Sequence, residues 1–178
     1  SDKLGNKFTD IELIDEIITL IVAGYETSAG TLNWAWYLLS TQPDELENLY
    51  QESQPIFEKL NDLNHEAINS MHFTQAVLEE TLRLYPPVWL FSRRSTNDDQ
   101  LGGYEIAVNS NLFVSPYILH RSKEFWDNPN RFNPGRFINR NGAKVVNMAY
   151  FPFSLGPRRC LGEYFSFLEM KIHLGYLI

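Results

Sequence analysis

Ile11, Ile14, Ile17, Ile18, Ile21 and Val22 recur at spacings of three and four, which puts them on one face of an α-helix. The pattern continues through Leu32, Trp36 and Leu39 and predicts a single helix over residues 9–40. At roughly thirty residues it is longer than most globular helices. Such a helix normally crosses the middle of a large protein. Thr9 and Glu12 are placed as a capping box, and Phe8 and Leu13 as a hydrophobic staple, so its start is sharply marked. Thr41-Gln42-Pro43-Asp44 ends it and opens a second helix through Leu46, Leu49 and Tyr50, with Pro43 in the first turn. Ser53 to His65 is mixed and polar and reads as short helices and turns. Phe73 to Tyr85 is the next helical stretch, stopped by Pro86-Pro87.

Beyond the prolines the period changes. Val88 to Phe91 is apolar and extended. Residues 98–114 hold Gly102-Gly103 and two short alternating runs, the pattern of a β-hairpin. A helix-like piece begins at His120-Arg121, and residues 126–147 form an irregular meander, aromatic at first and polar from Arg131 to Asn147. A last helical pattern fills 161–178, directly after a glycine-rich stretch. The elements together predict a mainly α fold with small β-sheets, of the α+β class, without internal repeats.

Three places carry candidate chemistry. The first is Ala23-Gly24-Tyr25-Glu26-Thr27-Ser28, in the centre of the long helix. Glycine there is unfavourable by about 1 kcal/mol against alanine. The Thr27 hydroxyl can bond back to a carbonyl one turn earlier. An acid and an alcohol therefore stand together at a weak point, either as a solvent-facing kink or as a site. The second is Glu80 and Arg83, three apart on one helical face. A surface pair of this kind contributes little. The third is Phe153-Ser-Leu-Gly-Pro-Arg-Arg-Cys-Leu-Gly162, which holds the single cysteine, Cys160. Gly156 permits a tight turn, Phe153 can pack beside the sulfur, and Gly162 allows a flat ligand near the helix start. The free N–H groups and positive end of the following helix favour an anionic sulfur, a good metal ligand.

This last stretch resembles the cysteine loop of the cytochrome P-450 family, Phe-x-x-Gly-x-Arg-x-Cys-x-Gly, met by Phe153, Gly156, Arg158, Cys160 and Gly162. The other two places fit the same resemblance. Residues 23–28 are similar to the family's oxygen-activation motif, which implies that Ala23 and Gly24 make room over a haem. In that motif the threonine, here Thr27, orders water, and the acid, here Glu26, feeds protons to it. Glu80 and Arg83 resemble the family's Glu-x-x-Arg helix. Pro134-Gly135-Arg136-Phe137 resembles its partner segment, with Gly135 where glutamate is usual. The resemblance implies a structural triad of Glu80, Arg83 and Arg136 that braces the cysteine loop. It further implies that Cys160 ligates iron and that Arg93, in preference to Arg94, pairs a haem propionate together with Arg158. Val88, Trp89, Leu90 and Phe91 fall where the family lines its substrate pocket. His120 is read as a structural histidine and not as a ligand.

The resemblance spans the whole chain but implies only the C-terminal, haem-binding half of the fold. The expected activity is monooxygenation of an apolar small molecule, with haem b as cofactor and a reductase or ferredoxin as electron donor. Two rivals are a peroxide-using relative and a non-catalytic haem-binding remnant or split piece. Further N-terminal segments or a partner chain are expected to close the pocket. The net charge of −7 argues against nucleic acid. One cysteine excludes an internal disulfide. The opening Ser-Asp-Lys-Leu-Gly is no signal peptide, and the apolar run from Ile17 to Gly24 is too short to span a bilayer. An intracellular protein is expected, cytoplasmic or membrane-attached through an upstream segment.

Overall fold

The computed structural model describes residues 7–58, 63–138 and 148–178. Helix α1 runs Asp10–Ser40. Its capping box is formed: Thr9 N–H donates to Glu12 Oε2 at 2.8 Å, and Glu12 N–H donates to Thr9 Oγ1 at 3.3 Å. The bonds from Thr9 N–H and the Thr9 hydroxyl to Glu12 Oε2 hold the Glu12 carboxyl below its usual range. The two halves of α1 fare differently. Ser28, Thr31, Leu32, Ala35, Leu38 and Leu39 are buried at helical spacing. Ile11, Ile14, Ile17, Ile18, Ile21 and Val22 are all exposed. The apolar face expected to be buried along the whole helix is therefore covered only in its second half. Among the described residues nothing packs over the first.

Helix α2 runs Pro43–Phe57, one and a half turns past the expected end, and carries Pro55 inside it. Proline in the last turn removes a single intrahelical bond. Glu58 N–H still donates to the Gln54 carbonyl at 2.9 Å, and Ser53 is buried. After the short α3 (His65–Asn69), α4 spans His72–Leu84. Its N-cap residue Met71 offers no side-chain oxygen. Glu52 of α2 supplies the cap instead, accepting from Phe73 N–H at 2.6 Å and Thr74 N–H at 2.8 Å. Two short helices follow, α5 (Pro116–Leu119) and α6 (Gly135–Ile138), and the last, α7, spans Glu163–Leu177. The main core lies where α1, α2, α4 and α7 meet, around Leu39, Leu49, Val77, Leu78, Met170 and Leu174. Gly175 of α7 is required at this contact, because a Cβ there would collide with Phe57 and Met71.

The β structure is two separate pairs. β2 (Asp99–Leu101) and β3 (Tyr104–Ile106) form a hairpin over Gly102 and Gly103, both at positive φ. β4 (Asn111–Val114) instead pairs antiparallel with β1 (Phe91–Arg94), in register Phe91↔Val114. The hairpin expected over 98–114 therefore forms at Gly102-Gly103 but is shorter, since β4 belongs to the other pair. The chain turns at Asn109 (φ 68), and Ser95 and Ser110 bond each other's backbone, which returns β4 along β1. The meander packs a second cluster on α4, with Trp126, Phe137 and Tyr150 around Ala76. Residues 139–147, in the polar part of the meander, lie outside the described residues, as do 1–6 and 59–62. No helix among the described residues is long and apolar enough to cross a membrane.

Candidate active site

On α4, Glu80 and Arg83 share a face, and both side chains are fully buried. Their pairing is bidentate: Arg83 Nε donates to Glu80 Oε2 at 2.7 Å and Nη2 to Oε1 at 2.8 Å. The remaining guanidinium donors go to backbone carbonyls, Nη1 to His120 and Pro129 at 2.7 Å each and Nη2 to Arg131 at 3.3 Å. Its plane lies over Trp126, 5.0 Å from the ring centroid. Arg136 Nε reaches Glu80 Oε1 at 3.3 Å, and Asn133 N–H donates to the same oxygen at 3.0 Å. A buried charge pair is tolerable when its polar atoms are bonded, and here all five Arg83 donors are used and both Glu80 oxygens accept, Oε2 from Arg83 and Oε1 from Arg83, Asn133 and Arg136. Gly135 has a local role of its own. Its N–H donates to Asn133 Oδ1 at 3.0 Å, and a Cβ would approach that oxygen to 2.9 Å.

The cysteine loop follows the meander. Ser154 (φ 63) and Gly156 (φ 71) turn it, with Ser154 N–H donating to the Phe151 carbonyl at 3.0 Å. A 3-10 turn over Gly156–Arg158 leads to Cys160, whose N–H donates to the Phe153 carbonyl at 2.9 Å. Gly162 is the N-cap of α7, and a Cβ there would lie 3.9 Å from Cys160 Sγ. Arg159 turns away to a two-pronged pair with Glu163, at 2.5 and 2.6 Å. Glu163 complements the positive end of α7.

Cys160 is exposed and opens into a cleft of about 410 Å³ between this loop and α1. Ala23 and Thr27 line the α1 side of the cleft, and Phe153, Arg158 and Cys160 the loop side. The Thr27 hydroxyl donates to the Ala23 carbonyl at 2.7 Å, and Thr31 repeats the bond one turn on, to the Thr27 carbonyl at 2.9 Å. Val88 and Phe91 also line the cleft, whereas Trp89 and Leu90 do not. Glu26 and Gly24 lie outside it, Glu26 being exposed on α1. Gly156 and Gly162 shape the loop without forming wall. Arg93 stacks on Phe91, its guanidinium carbon 4.9 Å from the ring centroid, so it stands behind a wall residue. Strand alternation puts Arg94 on the other face of β1.

Other wall residues were not singled out in the sequence. Thr31 follows from Thr27 by helical spacing, and Ser28 closes the 23–28 stretch without having been given a role. Phe151 and Pro116 meet the cleft through non-local packing that no local pattern announces.

The donor set fits an iron macrocycle. Among the described residues no three metal-binding side chains cluster, so Cys160 can hold a metal only when the cofactor brings most of its ligands. The cleft is largely apolar, as a flat hydrophobic ring requires. Among the described residues neither Arg93 nor Arg158 forms an ion pair, which leaves two guanidiniums for acidic side arms.

Comparison with known proteins agrees with this geometry. The chain is 35% identical over 174 residues to cyclooctatin synthase of Streptomyces melanosporofaciens, covering 98% of this chain and 38% of that protein. It is 32% identical over 177 residues to pentalenene oxygenase of Streptomyces avermitilis (99% and 39% covered) and 32% identical over 179 residues to human cytochrome P450 4V2 (100% and 34%). The crystal structure of the cytochrome P450DA heme domain superposes with a TM-score of 0.89 at 27% identity, covering 99% of this chain and 39% of that one. The chain therefore spans less than two thirds of the length of these relatives. The family model for Cytochrome P450 matches residues 1–178, and the chain belongs to that family.

Proposed function

We propose that the protein of which this chain forms part is a haem-thiolate monooxygenase. It inserts one oxygen atom of dioxygen into an apolar organic substrate and draws electrons from a reductase or ferredoxin. The observation that carries this reading is the placement of the Cys160 sulfur and the Thr27 hydroxyl on one apolar cleft. Haem b, when bound, supplies oxygen activation, which a thiolate ligand promotes. Cys160 is its anionic anchor, and Arg93 and Arg158 bind its carboxylates. Ala23 and Gly24 leave the α1 wall low; a Cβ on Gly24 would meet nothing within 4 Å. Thr27 fixes a water by its hydroxyl oxygen, and Glu26, on the solvent side, resupplies protons. Val88 and Phe91 give the substrate an apolar wall, and Trp89 and Leu90 extend it once the pocket is closed. Further segments of the protein or a partner chain cover the open half of α1 and exclude water. The protein works inside the cell, in the cytoplasm or attached to a membrane through an upstream segment.

The test is the carbon monoxide spectrum of the reduced full-length protein. The wild type gives the red-shifted band of thiolate-bound haem, and Cys160→Ser loses it. A Cys160→Ser protein that keeps the band overturns the assignment.

A further inference from the structure

His120 caps α5 and is fully buried, yet its ring is no passive filler. Its carbonyl accepts Arg83 Nη1 at 2.7 Å. Its Nε2 accepts the Phe151 N–H at 3.1 Å. Phe151 opens the cysteine loop and is itself cleft wall. From there the bonds run on: the Phe151 carbonyl takes Ser154 N–H, and the Phe153 carbonyl takes Cys160 N–H. One residue thus joins the Glu80–Arg83 network to the segment that carries the sulfur.

The ring's chemistry agrees with that task. Because Nε2 accepts, Nδ1 carries the proton. Nδ1 meets no acceptor with hydrogen-bonding geometry, although the backbone of Arg83 and Leu82 attracts a proton there. What a packing role does not use is the Nε2 acceptor, which holds the backbone of Phe151. Burial, with the positive charges of Arg83 and Arg121, pushes its pKa down to about 4. The lone pair on Nε2 is therefore kept at neutral pH. The ring also sits edge-on to Phe151 at 5.5 Å and tilted against Tyr150 at 5.3 Å, contacts that any aromatic residue would keep.

We propose that His120 is a positioning residue for the cysteine loop, and that the Nε2 acceptor, rather than the ring's bulk, sets the loop's register. The spectroscopic part of the test rests on the reading of Cys160 as the haem ligand; the amide part does not.

Two variants of the haem-loaded full-length protein separate acceptor from bulk. His120→Phe keeps the aromatic packing and removes the acceptor. His120→Gln gives up the ring and keeps an acceptor oxygen. Hydrogen–deuterium exchange is read for the Phe151 and Cys160 amides, and the carbon monoxide band for the sulfur. In His120→Phe, both amides exchange on the order of tenfold faster and part of the red-shifted band is lost. In His120→Gln, both readings stay near wild type. A His120→Phe protein indistinguishable from wild type overturns the proposal, as does a His120→Gln protein as impaired as His120→Phe. Should His120→Phe fail to fold, His120→Gln decides alone: wild-type exchange supports the acceptor role and raised exchange rejects it. A wild-type protein without the red-shifted band overturns the monooxygenase reading instead, while the exchange comparison still decides the role of His120.

Discussion

The two halves of α1 have the same apolar period and opposite surroundings. From Ser28 to Leu39 the apolar face is sealed against α4 and α7, and Leu39 and Ala35 are wholly buried. From Ile11 to Val22 a similar face is bare, with Ile11 73% exposed and Ile21 63% exposed. Periodicity states that a helix has a face to bury and says nothing about what buries it. An uncovered run of this size is uncommon in a working soluble protein. The sealed half is where the chain makes its own core, and the bare half is where the proposed further segments would rest.

The sealed side depends most on its charge network. Arg83→Ala leaves Glu80 buried with only the longer contact to Arg136, a loss of about 3–5 kcal/mol, and folded, haem-loaded protein is not recovered. Normal expression with full haem content would reduce the pair to decoration. The comparison itself is sharpened by truncating one residue on each side. Leu39→Ala costs about 2–5 kcal/mol. Ile18→Ala costs under about 0.5 kcal/mol in the 178-residue chain, and rises towards core values in the full-length protein. Denaturant titration of both forms reads the difference, and equal small losses in both would mean that the bare face stays bare.

Acid acts on the sealed side through His120. Its folded pKa of about 4 lies below the unfolded value near 6.5. Between those values the unfolded chain takes up a proton that the folded chain refuses, so stability falls as pH drops from about 6.5 to about 4 and levels off below. The full loss is on the order of 3 kcal/mol. His120→Gln flattens that part of a stability–pH profile, and an unchanged profile would show that the ring titrates normally. The most local effect belongs to the bare end. Thr9→Ala removes the capping box and costs about 1 kcal/mol, seen as faster amide exchange in the first turns of α1 with the core unaffected.

Much of this was visible along the chain wherever the cause is local. Thr9 and Glu12 mark a helix start because the cap needs residues three apart, and those bonds form. Glu80 and Arg83 meet because one helical turn brings them together. What escaped is non-local. The partner of β4 is chosen by a turn at Asn109 and by Ser95, and not by the alternation of either strand. α2 passes Pro55 because the loss of one bond is outweighed by tertiary packing. The cap of α4 comes from Glu52, some twenty residues away, where no capping pattern would place it. Val88, Trp89 and Leu90 precede β1, which starts at Phe91, so their division between wall and surface follows an irregular bend that no local period sets. Glu26 beside Thr27 in sequence is not beside it on the cleft, because adjacent helical residues point about 100° apart.

The back-bond of Thr27 has a directional consequence. Its only hydroxyl hydrogen is committed to the Ala23 carbonyl, so the oxygen shows the cleft lone pairs and no proton. Thr27 is therefore a receptacle: a water that docks there must point an O–H at it and turn its remaining hydrogen elsewhere. Thr31, locked in the same sense one turn later, repeats the polarity. The wall of α1 thus offers acceptors to the cleft at both positions, a polarity set by two helical carbonyls and not by the acidity of any side chain.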